Sequence, residues 1–146
     1  MTGEVRIERV IDAPRDEVFR AWTDPEELRR WWGPGEYATR YAEVDLRPGG
    51  HYLLVIEGAE GDAMRLAGTF REVVAPERLV YSWRWVEGWS DPVESIVTVE
   101  FEDLGERTRV VLLHSALDDS PDADGYRMGW ESGLEKLAAT IGGTDQ

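Results

Sequence analysis

The sequence predicts an α+β fold in which an antiparallel sheet of about seven strands curves around one long C-terminal helix. Three observations carry this. Residues 37–117 break into six short strand-like runs whose connections are too brief for a parallel crossover, so neighbours pair antiparallel. Two helix-start signals follow one another directly after the first strand. The last thirty residues carry one amphipathic helical pattern with both ends marked. A chain of 146 residues suits one core, so residues 1–146 read as a single domain.

The first strand occupies residues 4–12, where Val5 and Ile7 alternate with Arg6 and Glu8 before the pattern slips at Val10 and Ile11, which predicts a bulge. Asp12-Ala13-Pro14 opens a helix, with Asp12 as the expected acceptor for an orphan N–H and Val18, Phe19 and Trp22 on its apolar side. Thr23-Asp24-Pro25-Glu26-Glu27 repeats the start signal, Leu28, Trp31 and Trp32 follow, and Gly33-Pro34-Gly35 ends the second helix.

The remaining strands fall at 37–46, 49–57, 65–75, 78–87, 93–102 and 107–116. Leu79, Tyr81, Trp83 and Trp85 share one strand face, as do Val97, Val99 and Phe101, and then Val110, Leu112 and His114. The final helix starts at Ser120-Pro121-Asp122 and stops at Gly142-Gly143 after Lys136. Within it Tyr126, Trp130, Leu134, Leu137 and Ile141 fall in an arc of about 80°, so this face meets the sheet.

Composition excludes more than it identifies. With no cysteine, disulfides, zinc–thiolate sites and cysteine nucleophiles are absent. The net charge of -14 and scattered arginines argue against nucleic acid and against an anionic membrane surface. No run approaches a membrane span and the N-terminus carries no apolar signal core, so the expected location is cytoplasmic, with no membrane insertion.

The chemical inventory is thin. His51 and His114 lie on different strands without a zinc-type spacing, His51 outward and His114 at the end of an inward face. Residues Ser120 to Glu131 partly match a calcium loop. Ser stands at its first position, Arg127 at its eighth, and a strand precedes it, so helix capping is the better reading. No metal, cofactor or catalytic residue is assigned. The large rings, among them Trp31, Trp32, Tyr52, Trp83, Trp85 and Trp130, fill a core in one reading and surround a cavity for an apolar ligand in the other.

Several stretches together resemble a known family: Ile11 to Pro25, Leu28 to Pro34, Asp45 to Gly50, Pro76 to Val80, Val97 to Phe101, Thr108 to His114 and Gly129 to Leu137. They are similar to the Hsp90-ATPase-activator homologue family, a branch of the START-like (SRPBCC) helix-grip superfamily. The resemblance implies a helix-grip fold with a hydrophobic cavity under the two short helices. Superfamily members bind lipids, hormones or polyketides there, and some are cyclases or hydroxylase subunits.

Mapped onto this chain, the implied ligand-binding residues are Trp31, Trp32, Tyr52, Leu54, Tyr81, Trp83, His114, Tyr126 and Trp130, around a small hydrophobic molecule. A cyclase or aromatase using His114 or Tyr81 to move a proton is the alternative, and a protein-interaction role a third. The eukaryotic co-chaperone makes much of its contact through a separate domain, which places Hsp90 below a small ligand among expected partners. Helix-grip relatives often pair, so Trp89 in the Gly88–Pro92 turn is a candidate homodimer contact.

Overall fold

A computed structural model describes residues 4–33, 37–58, 60–61, 63–87, 94–115 and 123–142. The strands are β1 (Val5–Ile11), β2 (Ala38–Val44), β3 (His51–Glu57), β4 (Ala63–Val74), β5 (Arg78–Glu87), β6 (Ser95–Asp103) and β7 (Thr108–Ser115). The helices are α1 (Arg15–Thr23), α2 (Pro25–Trp31) and α3 (Ala123–Leu137), and α3 runs into a wider π turn at Ala138–Gly142. One seven-stranded sheet has the order β1-β7-β6-β5-β4-β3-β2 with every pair antiparallel. The meander and the α+β helix-grip class are therefore as the sequence reads.

Register unites the separate strand faces. Val5 pairs with His114, His114 with Val97, Val97 with Tyr81 and Tyr81 with Phe70, so one row of side chains crosses five strands. Parallel to it run Ile7, Leu112, Val99 and Leu79. Strict period-two burial along β6 and β7 puts this surface inside. Three register shifts supply the extra residues that bend the sheet into a trough: one in β2 between Thr39 and Tyr41, one in β4 between Phe70 and Glu72, and one in β5 between Trp85 and Glu87, opposite Leu66 and Arg65.

Helix α3 lies in that trough. Tyr126, Trp130, Leu134 and Leu137 are buried, and each contributes about 1.5–3 kcal/mol by leaving water. Gly133 faces the Trp31 ring of α2, and a Cβ there would make ordinary van der Waals contact with it at 3.9 Å.

Two local expectations are corrected. β1 and β7 pair without a break from Val5 to Ile11, so no bulge interrupts Val10 and Ile11. The alternation simply continues through Arg9, whose long stem shares the inner side while its guanidinium reaches Glu135 on α3 at 3.9 Å, and Val10 faces solvent. Asp12 does not cap α1. Pro14 holds the cap position without a side-chain bond, and the Asp12 carboxylate turns to Arg107 at 3.7 Å. The side chain of Trp85, residue Trp89 and the acidic stretch at 120–122 lie outside the described residues.

Candidate functional site

Helices α1 and α2 form a lid over the trough, and the chain fixes their junction chemically. The Asp24 carboxylate accepts the Glu26 N–H at 2.9 Å and Pro25 opens α2, as the start signal predicts. Trp31 then points inward, its indole N–H donating to the Ala21 carbonyl at 2.9 Å and its ring 5.0 Å from that of Trp22. The far end of the lid is tied to the body. Thr39 donates to the Trp32 carbonyl at 2.7 Å, while the ammonium of Lys136 on α3 donates to the carbonyls of Gly33 and Tyr37. Burial holds the pKa of Lys136 below its ordinary value.

At one end of the enclosed interior, polar atoms satisfy one another. His114 is 0% exposed, its Nδ1 accepts the Trp130 indole N–H at 3.0 Å, and its Nε2 lies 2.7 Å from the Ser95 hydroxyl. An indole N–H only donates, so Nδ1 carries no proton and the ring is the neutral Nε2–H tautomer, donating to Ser95. A serine beside a histidine resembles a nucleophile with its base. Here the proton sits on the wrong nitrogen, because Nε2 must be free to deprotonate the hydroxyl. Trp83 and Tyr126 close over the imidazole, both with centroids at 4.8 Å.

The other end is built around two tyrosines. Gly68 on β4 makes room for Tyr52: a Cβ at Gly68 would stand 2.0 Å from the Ser82 carbonyl oxygen and 2.8 Å from the Tyr52 ring. Tyr52 therefore lies across the strand, and its hydroxyl donates to that carbonyl at 2.6 Å. The Ser82 hydroxyl in turn accepts the Thr69 N–H at 2.9 Å. Tyr81 accepts the Trp22 indole N–H at 3.2 Å, which links sheet to lid. Burial raises the pKa of both phenols above the usual range, Tyr52 further through its proximity to Tyr81.

Between these groups lies a crevice lined by Trp22, Leu28, Trp32, Val44, Tyr52, Leu54, Leu66, Phe70, Tyr81 and Trp83. Its free volume is about 20 Å³. That accommodates a water, which needs roughly 10–15 Å³ on this measure, whereas small-molecule sites run to about 300–1,000 Å³.

All nine sequence-derived residues are buried. Trp32, Tyr52, Leu54, Tyr81 and Trp83 line the crevice together, while Trp31, His114, Tyr126 and Trp130 do not line it. Sequence reasoning left out Trp22, Leu28, Val44, Leu66 and Phe70 as lining residues. Trp22 and Leu28 were legible as the apolar faces of their helices. Leu66 and Phe70 share the inward face of β4 with Met64, with Gly68 between them supplying no side chain to mark the alternation. Among the described residues no three His, Asp or Glu side chains gather into a metal-binding group, and His51 is exposed.

The sequence matches the family model described as Activator of Hsp90 ATPase homolog 1-like protein over residues 12–142. No curated protein sequence matches the chain. Among solved structures, protein CV1439 from Chromobacterium violaceum is 28% identical with a TM-score of 0.87, over 95% of this chain and 96% of that one. Protein SPO3351 from Silicibacter pomeroyi is 27% identical with a TM-score of 0.82, over 94% and 96%. DynU16, from the dynemicin biosynthetic locus, shares the fold at 21% identity and a TM-score of 0.77, over 97% of this chain and 48% of its own.

Proposed function

This chain belongs to the Activator of Hsp90 ATPase homolog 1-like family, and from that premise we propose that it is a non-catalytic binding module for a small apolar or aromatic molecule held between lid and sheet. The observation that carries the reading is the crevice: ten side chains from both lid helices and four strands converge on it, and all are apolar or aromatic. A ligand larger than water enters only if the lid moves. That motion displaces a helix of only seven residues, α2, and has to release the Thr39 and Lys136 hydrogen bonds that hold its far end to the body.

Neither proton-moving candidate favours the enzyme alternative. The His114 nitrogens are both engaged, and the phenol of Tyr81 resists ionisation in its desolvated site. The experiment is a titration with indane, naphthalene and larger aromatic hydrocarbons followed by tryptophan emission, because Trp22, Trp32 and Trp83 line the site. Saturable quenching with a raised melting temperature is expected. No change with any of them would overturn the reading.

The family description favours a second role, regulation of an Hsp90-type ATPase. A charge of -14 would then require a basic docking patch on the chaperone. Absence of ATPase stimulation at low salt, where screening is weak, would remove it.

A further inference from the structure

The crevice lining includes a hydroxyl whose hydrogen-bonding capacity is incomplete among the described residues. Its lining contains two hydroxyls, and that of Tyr52 is taken up by the Ser82 carbonyl. Tyr81 differs: its oxygen accepts from Trp22, and among the described residues its own O–H has no acceptor. The residue is only 6% exposed, so bulk water does not supply one. A buried phenol in this state gains a hydrogen bond from any acceptor that enters the crevice.

We infer that the ligand is neutral and carries a carbonyl-type oxygen that accepts the O–H of Tyr81, its apolar body lying against Trp32, Trp83 and Phe70. This rests on the small-ligand reading above and names the chemical class that reading leaves open. Two arguments favour a neutral acceptor. Among the described residues, no lysine, arginine or charged histidine lines the crevice to offset the desolvation of an anion. Burial also keeps the Tyr81 phenol protonated, so it acts as a donor throughout the physiological range. The Trp22 N–H strengthens that donor, since a bond accepted by the phenol oxygen polarises its O–H. Because Trp22 belongs to the lid, the relay from indole through phenol to ligand oxygen also couples occupancy to lid position.

The test compares 1-indanone with indane, which differ by the carbonyl, and with indane-1-carboxylate, by calorimetry on the whole chain. The wild type is expected to bind the ketone about five- to tenfold more tightly than indane, the worth of one net neutral hydrogen bond. It should bind the carboxylate more weakly than either. In Tyr81→Phe the ketone-to-hydrocarbon ratio should fall to about one while indane still binds. A Trp22→Phe/Tyr81→Phe double variant, which leaves neither partner orphaned, guards against a folding defect. The infrared carbonyl stretch of bound 1-indanone needs no variant and should lie below its value in an apolar solvent. Equal binding of indane and 1-indanone by the wild type, an unshifted carbonyl stretch, or a ketone preference that survives in Tyr81→Phe would overturn this inference and leave the binding reading intact. Failure of all three compounds to bind would overturn both.

Discussion

Tyr81 and His114 stand in one cross-strand row, on either side of Val97 and about 10 Å of sheet apart, yet their surroundings differ in kind. At the His114 end every nitrogen of the imidazole is matched, by Ser95 on the next strand and by Trp130 on α3, and large rings close the remainder. At the Tyr81 end the sheet is bent by the register shifts between β4 and β5, the lid replaces α3 as the neighbour, and a small space and an unused O–H remain. Similar residue types therefore do different things. One end joins helix to sheet, and the other is arranged to admit something.

The largest effect should come from breaking the closed end. Trp130→Ala removes a 4%-exposed indole and strips His114 of its donor, so we expect a loss of about 3–5 kcal/mol in urea denaturation. A loss below about 1.5 kcal/mol, the range of a tolerated volume change, would mean that α3 is not held there.

A pair of single-atom deletions sharpens the contrast. Ser95→Ala leaves the His114 Nε2–H buried without its acceptor and should cost about 1–3 kcal/mol. Tyr81→Phe likewise orphans the Trp22 N–H, but it also removes an O–H that has no acceptor among the described residues, which offsets part of the loss. Its cost at neutral pH should be about 1 kcal/mol or less. Equal costs in the same denaturation assay would erase the distinction between the two ends.

How far each end was legible follows from the length scale of its determinants. Strand order, the lid and the inward faces are short-range matters of alternation, Pro-Gly turns and the Asp24-Pro25 signal, and all are readable along the chain. The inward placement of His114 followed from Val110 and Leu112. Its partners did not, because they depend on how α3 is rotated and slid over the sheet. The same holds for Asp12, whose capping spacing was sound, although the β1–α1 corner brings Arg107 to it instead. Trp22 was readable as buried, but only the lid's tilt reveals that it meets Tyr81.

Releasing the lid should separate the ends further. Lys136→Met removes two hydrogen bonds from an ammonium that remains partly exposed, so the stability loss should be about 1 kcal/mol, at the low end for charged donors. Amide exchange should accelerate in α2 and stay unchanged in β7, because only the lid loses a tie. Uniform acceleration would show that lid and closed end open as one unit.

The smallest effect tests whether the crevice end is dry. Tyr52 and Tyr81 have folded pKa values above the ordinary 10.0, because burial disfavours the phenolate. Above pH 10 the unfolded chain releases these protons while the folded one keeps them, so folding stability is intact below that pH and falls as it rises. Each such tyrosine contributes a slope of about 1.4 kcal/mol per pH unit, which amounts to under about 1 kcal/mol at pH 10.5. Lys136 acts in the opposite sense, since its lowered pKa makes the unfolded state bind more protons, but that contribution levels off above its ordinary value of 10.5. Stability measured by urea from pH 8 to 11 should therefore decline less steeply in Tyr81→Phe than in the wild type, by one proton's worth. An unchanged slope would mean that Tyr81 ionises as freely as an exposed phenol, and a phenol that water reaches has no need of a ligand's oxygen.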